Sequence, residues 1–279
     1  MRKVLITDVD NTLFDWQEVW YKTFSAMMSQ VFSISGADPD KLYAECSVIH
    51  QKYGTSEYSG LLEELPSLRE LYGTEVRNVM KPAIDAFRQV RRDSLILYPT
   101  VLSTLENLKA RGVKIAAFTE SKAFYTIYRF KKLGLDGLID VLYSPEDHVI
   151  REDIIQERRY GPDSYALRET VHHFTPEGAI KPNPGILHSI VRDMKAEVDE
   201  VIYLGDNLLK DVHMAQQAGI FDVYAAYGAA QHRPEYELLR QVTHWTPAMV
   251  ERERAALKPG SIKPTLSINS FDQIADLFT

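Results

Sequence analysis

Two aspartates separated by one residue, Asp8 and Asp10, close the apolar run in V-L-I-T-D-V-D-N-T-L, residues 4–13. A buried strand that ends in carboxylates delivers acids to its carboxyl end, where ligands bind in a parallel α/β sheet. In a strand that stayed regular through Asp10, side chains two apart would share a face. Carboxylates on one face repel unless a cation or a bound proton relieves them. The pair therefore points to a divalent metal, an acid–base pair, or both. Three further patches accompany apolar runs. They are Thr119, Glu120 and Ser121 in A-A-F-T-E-S, Lys181 in I-K-P-N-P-G, and Asp206 and Asp211 in Y-L-G-D-N-L-L-K-D. Taken singly, each has a plainer reading. Asp8 and Asp10 could be turn acids, Thr119 a helix cap, Lys181 a solvated lysine, and Asp206 and Asp211 acids favoured at a helix start.

The elements that must position these groups are short, apolar and β-branched or aromatic, as buried parallel strands are. Strands are expected at 3–7, 114–118, 141–143, 201–204 and 223–226. Helical periodicity runs over 101–111, 121–133, 185–194 and 210–218, with Gly112, Gly134 and Gly219 as stop signals. Alternating strand and helix predicts a doubly wound parallel α/β sheet. From Asp15 to about Leu97 the periodicity is helical throughout, which predicts a helical module inserted after the first strand, with Pro99 marking the return. The stretches 144–179 and 229–263 exceed simple connections. Both are expected to hold peripheral helices, and one of them to lie over the mouth of the site.

The 279 residues are 45% hydrophobic and 25% charged, with a formal net charge of −7, so nothing suggests the basic surface of a nucleic-acid binder. The single cysteine, Cys46, excludes an intrachain disulfide and suits a reducing compartment. The apolar run at the N-terminus is too short for a signal h-region, and no stretch approaches the ~18 apolar residues of a membrane span. A cytoplasmic protein is expected, without nucleic-acid or membrane partners. Oligomeric state is not encoded in any feature of the chain.

Together, and in this order, the four patches resemble the haloacid-dehalogenase-like (HAD) hydrolase superfamily. The resemblance covers the first strand and most of residues 99–226, and the helical module looks like the cap that many members carry. It implies a Rossmann-like core over 1–14 and 98–279 and a helical cap over 15–97, closing on a small phosphoester. Asp8 would be the nucleophile and Asp10 the general acid and base. Thr119 and Glu120 would bind the phosphoryl group, and Lys181 would neutralise it. Mg²⁺ would be held by the Asp8 side chain, the Asp10 carbonyl and Asp206, while Asp211 would hold a metal-bound water or brace Lys181. An acid at Asp10, two residues after the nucleophile, points to phosphate transfer and away from the dehalogenase branch.

Phe14 and Trp16, just past the first strand, are the first expected substrate contacts. His50, Lys52 and Tyr53 in the helical module are a second set. Trp20, Tyr21 and Phe24 read as cap core, His172 and His173 as peripheral, and Cys46 as a buried cap residue. The activity expected is a Mg²⁺-dependent phosphatase working through an aspartyl-phosphate. The alternatives are a phosphotransferase or mutase on the same site, a dehalogenase, or a non-catalytic binder of a phosphorylated ligand.

Overall fold

The computed structural model describes residues 1–147, 166–256 and 261–278. Its strands are β1 (Val4–Thr7), β2 (Lys114–Phe118), β3 (Val141–Ser144), β4 (Val171–Phe174), β5 (Val201–Gly205), β6 (Phe221–Ala225) and β7 (Leu266–Ile268). β1 consists of four residues, V-L-I-T, all buried, and no polar side chain except Thr7 interrupts it. Such a strand needs cover on both faces, which a parallel sheet provides. The seven strands lie in the order β4-β3-β2-β1-β5-β6-β7, all pairings parallel. Val4 is in register with Lys114 of β2 on one side and Val201 of β5 on the other. Val4, Ile6, Phe118 and Tyr203 pack with Ile186, Leu187 and Ile190 of the helix Pro184–Asp193. Leu5 and Ile115 are completely buried as well, and each aliphatic side chain so placed contributes about 1.5–3 kcal/mol relative to exposure.

Chain order reverses direction at β1. β2 lies to one side of it and β5 to the other, which makes the carboxyl ends of these three strands a topological switch point, the crevice where open α/β sheets bind ligands. Asp8 follows β1, Thr119 follows β2 and Asp206 follows β5. Two strands, β4 and β7, were not anticipated. β4 reads V-H-H-F and stands at the sheet edge with Val171 and Phe174 about half exposed. β7 has only three residues. Neither carries the apolar run that marks a buried strand. Of the helices expected within 144–179, residues 148–165 lie outside the described residues.

The chain divides into two compact units. One comprises Met1–Asp15, Ile96–Ala229 and Glu253–Thr279, and the other comprises Trp16–Leu95 and Ala230–Arg252. The second unit is helical. Its long helix Trp16–Ser35 buries Trp20, Phe24, Met28 and Val31, and Trp16, Trp20 and Phe24 stack in a row along it. The helix Pro39–Tyr53 starts at Asp38, whose side chain accepts from Asp40 N, and ends at Gly54 in the left-handed region that glycine tolerates. The segment 230–252, which the sequence reading left with the core, joins this unit. Tyr236, Leu239 and Val242 of the helix Tyr236–Val242 are buried in the same cluster as Leu42, Cys46 and Ile49. No helix among the described residues is long and apolar enough to cross a membrane.

His50 fastens that returning segment. It is 1% exposed, and its Nδ1 donates to the Val242 carbonyl at 2.6 Å. This inward contact replaces the substrate contact expected of it, because a ring with no accessible surface has nothing to offer a ligand. Burial lowers its pKa to about 4 from 6.5. The unfolded chain therefore binds the proton more tightly, and stability falls as pH drops from the unfolded value toward the folded one, levelling off beyond it. The effect amounts to roughly 3 kcal/mol. Denaturation of the wild type and of His50→Gln, followed from neutral to mildly acid pH, should show a flatter profile in the variant. Parallel profiles would remove His50 as the source of acid sensitivity.

Candidate active site

β1 ends at Thr7, Asp8 N still donates to Leu204 O of β5 at 2.8 Å, and the chain turns beyond it. Asn11 takes a left-handed φ of 58°, and Leu13 N returns to Val9 O at 2.9 Å. The turn lies tightly against Gly228, where a Cβ would come within 1.8 Å of the Asn11 carbonyl oxygen. Tyr227 holds it further, its hydroxyl donating to Thr12 O at 2.8 Å. The consequence corrects the shared-face premise: Asp8 and Asp10 point to different partners, and each meets its own cation.

Asp8 faces Lys181, whose Nζ lies 2.5 Å from Asp8 Oδ1 and 2.9 Å from Asp211 Oδ1. Thr12 donates to Asp8 Oδ2 at 3.2 Å. Asp211 is occupied on both oxygens. Lys181 and the Tyr203 hydroxyl, at 2.8 Å, reach Oδ1, and Asn207 N reaches Oδ2 at 3.0 Å. Asn207 caps the wide, π-type helical turn Leu208–His213 through Leu209 N and Lys210 N, and its carbonyl accepts from both Asp211 N and Val212 N. Gly205 leaves room for the Asp211 carboxyl group, which a Cβ there would meet at 2.4 Å.

Carboxylate oxygens of Asp8, Asp206 and Asp211 all lie within 4.8 Å of one another, in buried residues. Burial pushes the Asp8 carboxyl up to about 7 against the pull of Lys181, with Asp211 and Asp10 adding repulsion. Burial, then Asp8 and Asp211, push Asp206 well above its ordinary value. Burial opposes the charge on Lys181, but Asp211 and Asp8 outweigh it and hold the ammonium protonated.

Asp10 turns toward the loop after β2. Its Oδ2 accepts from Ser121 Oγ at 2.6 Å and from Thr119 Oγ1 at 3.1 Å. Its Oδ1 lies 3.2 Å from Arg129 Nη1. The Thr119 hydroxyl also accepts from Ser121 N, and the Thr119 N–H is taken by the Tyr143 carbonyl. The carboxylate of Glu120 is held by one amide and one ammonium: Oε1 accepts from the backbone Lys181 N at 3.0 Å and Oε2 from Lys210 Nζ at 2.6 Å. Burial opposes its charge, yet Lys210 and Lys181 hold its pKa below the usual range. A carboxylate so placed braces the loops that carry Lys181 and Lys210.

Phe14 is fully buried, with the Arg129 guanidinium 5.4 Å from its ring centroid. It packs beneath the site and exposes no surface to a substrate. Trp16, in the helical unit, is half-buried. Lys52 and Tyr53 are both engaged with Glu64, Lys52 at 2.8 Å, and the Tyr53 ring stacks on Tyr58 at 3.7 Å. Four contributors escaped the sequence reading: Arg129, Tyr203, Asn207 and Lys210. Arg129 left a signal, for it falls with Tyr125, Thr126, Phe130 and Leu133 on the buried face of the helix Ala123–Leu133. A lone charge on an apolar stripe calls for a buried partner.

The family model for the haloacid dehalogenase-like hydrolases matches residues 2–219. The chain belongs to that family. As a HAD-like hydrolase it is an enzyme, and its seven-stranded parallel sheet is the family's core. It is 25% identical over 237 residues to the glyceraldehyde 3-phosphate phosphatase of Methanopyrus kandleri, a match covering 83% of this chain and 87% of that protein. The protein of the same name from Methanocaldococcus jannaschii is 23% identical over 224 residues, covering 80% and 84%. Among solved structures, the 2-haloacid dehalogenase of Pseudomonas syringae pv. Tomato DC3000 aligns with a TM-score of 0.53 at 16% identity, covering 100% of this chain and 98% of that chain. At that identity the likeness is one of fold.

Proposed function

We propose that this HAD-like hydrolase is a Mg²⁺-dependent phosphoric monoester hydrolase that works through an aspartyl-phosphate on Asp8. The observation that carries the reading is the buried cluster of Asp8, Asp206 and Asp211, two of which pair with the ammonium of Lys181. With all three ionised, the carboxylates would outnumber that ammonium by two charges, in a place where burial already disfavours charge. A hard divalent cation with oxygen ligands matches both the sign and the size of that excess. Asp8 and Asp206 would hold it, and the family resemblance adds the Asp10 carbonyl. Asp211 is already committed to Lys181, Tyr203 and Asn207. When bound, the cation supplies charge neutralisation for an incoming phosphate dianion.

The rest of the chemistry belongs to the chain. A carboxylate oxygen of Asp8 attacks phosphorus and forms the acyl-phosphate bond, while the bond to the leaving oxygen breaks. Lys181 offsets charge on the nucleophile and the phosphoryl oxygens as a fixed point charge. Asp10 protonates the departing alkoxide, then takes a proton from the water that cleaves the intermediate. Inorganic phosphate and the alcohol leave, and both aspartates return to their starting states. The two relatives named glyceraldehyde 3-phosphate phosphatase support a small phosphorylated metabolite as substrate, with that triose phosphate first among the compounds to try.

The test is phosphate release from a panel of phosphorylated metabolites, with Mg²⁺ and with excess chelator. Release is expected with the metal and should fall by at least about 10²-fold without it, the scale on which a charge-stabilising element of a site acts. Chelator-insensitive release would remove the metal from the reading. Alcohol release without matching inorganic phosphate would point to transfer onto a second metabolite.

A further inference from the structure

Asp10 binds its two oxygens unequally. Oδ2 accepts hydrogen bonds from two hydroxyls, Ser121 Oγ at 2.6 Å and Thr119 Oγ1 at 3.1 Å. Oδ1 is buried and accepts no hydrogen bond among the described residues, although Arg129 Nη1 stands 3.2 Å away. The same Nη1 donates to Ser121 Oγ at 3.0 Å. Ser121 thus accepts from the guanidinium while giving its own proton to Asp10, and the order of donors and acceptors is fixed along the chain of contacts. The Arg129 side chain is 4% exposed and lies near the rings of Phe14 and Tyr125, at 5.4 and 5.8 Å. Its place in the helix Ala123–Leu133 brings it to the site from beneath. A buried guanidinium costs several kcal/mol to desolvate, and packing alone would be better met by an apolar side chain.

We propose that Arg129 is the positioning residue of the acid–base group: with Ser121 it fixes the orientation of the Asp10 carboxyl group, the guanidinium facing Oδ1 and the hydroxyls of Ser121 and Thr119 holding Oδ2. The inference rests on the phosphatase reading above and deepens it. Arg129 does not touch the reacting atoms. It acts through Asp10, its Nη1 reaching both Asp10 Oδ1 and Ser121 Oγ.

A residue that acts through the general acid affects reactions in proportion to how much the leaving oxygen needs a proton. Nitrophenyl phosphate releases a stable phenolate, whereas an alkyl phosphate releases a strongly basic alkoxide. The quantity to measure is kcat/KM, which reports the steps through phosphoryl transfer, for aryl and alkyl phosphates of graded leaving-group basicity. The proteins are wild type, Asp8→Asn, Asp10→Asn, Arg129→Met, Arg129→Lys, Ser121→Ala and the double variant Asp10→Asn with Arg129→Met.

Arg129→Met should lose roughly 30-fold or more on alkyl phosphates, part of the 10²–10⁴ that general acid catalysis contributes, and under about threefold on nitrophenyl phosphate, within the scatter of uncoupled sites. Ser121→Ala should show the same slope with a smaller loss, and Arg129→Lys, which keeps a cationic nitrogen with several donors, should fall between Arg129→Met and wild type. Adding Arg129→Met to Asp10→Asn should cost nothing further, because the two act as one unit. An equal loss on every substrate, or full additivity with Asp10→Asn, would overturn the proposal. Should Arg129→Met fail to fold, the Ser121→Ala slope decides alone, since it removes a single hydroxyl. Activity that is absent in the wild type, or retained in Asp8→Asn, refutes the phosphatase reading and the role of Arg129 with it. Normal activity abolished by Asp8→Asn, with unchanged slopes in the Arg129 and Ser121 variants, refutes only the inference.

Discussion

Asp8→Asn is expected to abolish turnover, by about 10⁴-fold or more, as removal of a nucleophile does, and to leave the fold intact. The amide is the same size as the carboxylate and keeps an oxygen for Thr12 or Lys181, which reach the two Asp8 oxygens at 3.2 and 2.5 Å. It cannot form an acyl-phosphate. The substitution also removes one negative charge from a buried cluster whose members push each other's pKa upward. The thermal midpoint should therefore equal or exceed that of the wild type without metal. Circular dichroism melts beside the phosphate-release assay check both halves. Persisting turnover would strip Asp8 of its role, and a variant that unfolds would mean that the loss of activity says nothing about chemistry.

Lys181→Met should fail in the opposite way, losing stability as well as activity. Among the described residues Lys181 is the one ammonium paired with both Asp8 and Asp211, and it is 4% exposed. Removing it leaves uncompensated buried carboxylates, a change that costs about 3–5 kcal/mol in comparable pairs. Much of that cost should return when Asp8→Asn is added, because the two side chains meet directly and their effects do not add. Urea denaturation of the two single variants and the double variant measures the coupling. Strict additivity, or a Lys181→Met protein within about 0.5 kcal/mol of wild type, the range of ordinary surface changes, would mean that the pair does not hold the site together.

The parts of the site that were legible in the chain are those governed by local pattern. Apolar runs ending in Asp8, Thr119 and Asp206 mark strand tips, because a buried strand tolerates polar residues only where it leaves the sheet. The same logic misses β4 and β7, edge strands with little to bury. Partners set by the tertiary fold left almost no trace. Nothing near Asp10 in sequence names Arg129, more than a hundred residues away, and Asp8 and Asp10 meet different partners where the chain turns between Val9 and Leu13. Phe14 and His50 were placed at the substrate by proximity in sequence and by residue type. Both turn inward, since an aromatic ring is equally at home in a core, and periodicity cannot tell a lining residue from a packing one.

The helical unit takes in residues 230–252, which return to it from the far end of the chain. An insertion that leaves a host domain once and comes back once can be lifted out or exchanged like a cassette. This one cannot. Its core is sewn from two separate lengths of chain, with Leu42, Cys46 and Ile49 buried against Tyr236, Leu239 and Val242. Whatever specificity the helical unit carries is therefore inherited as a matched pair of segments. A graft of the first segment without the second would present its recipient with an apolar groove and a His50 deprived of its carbonyl.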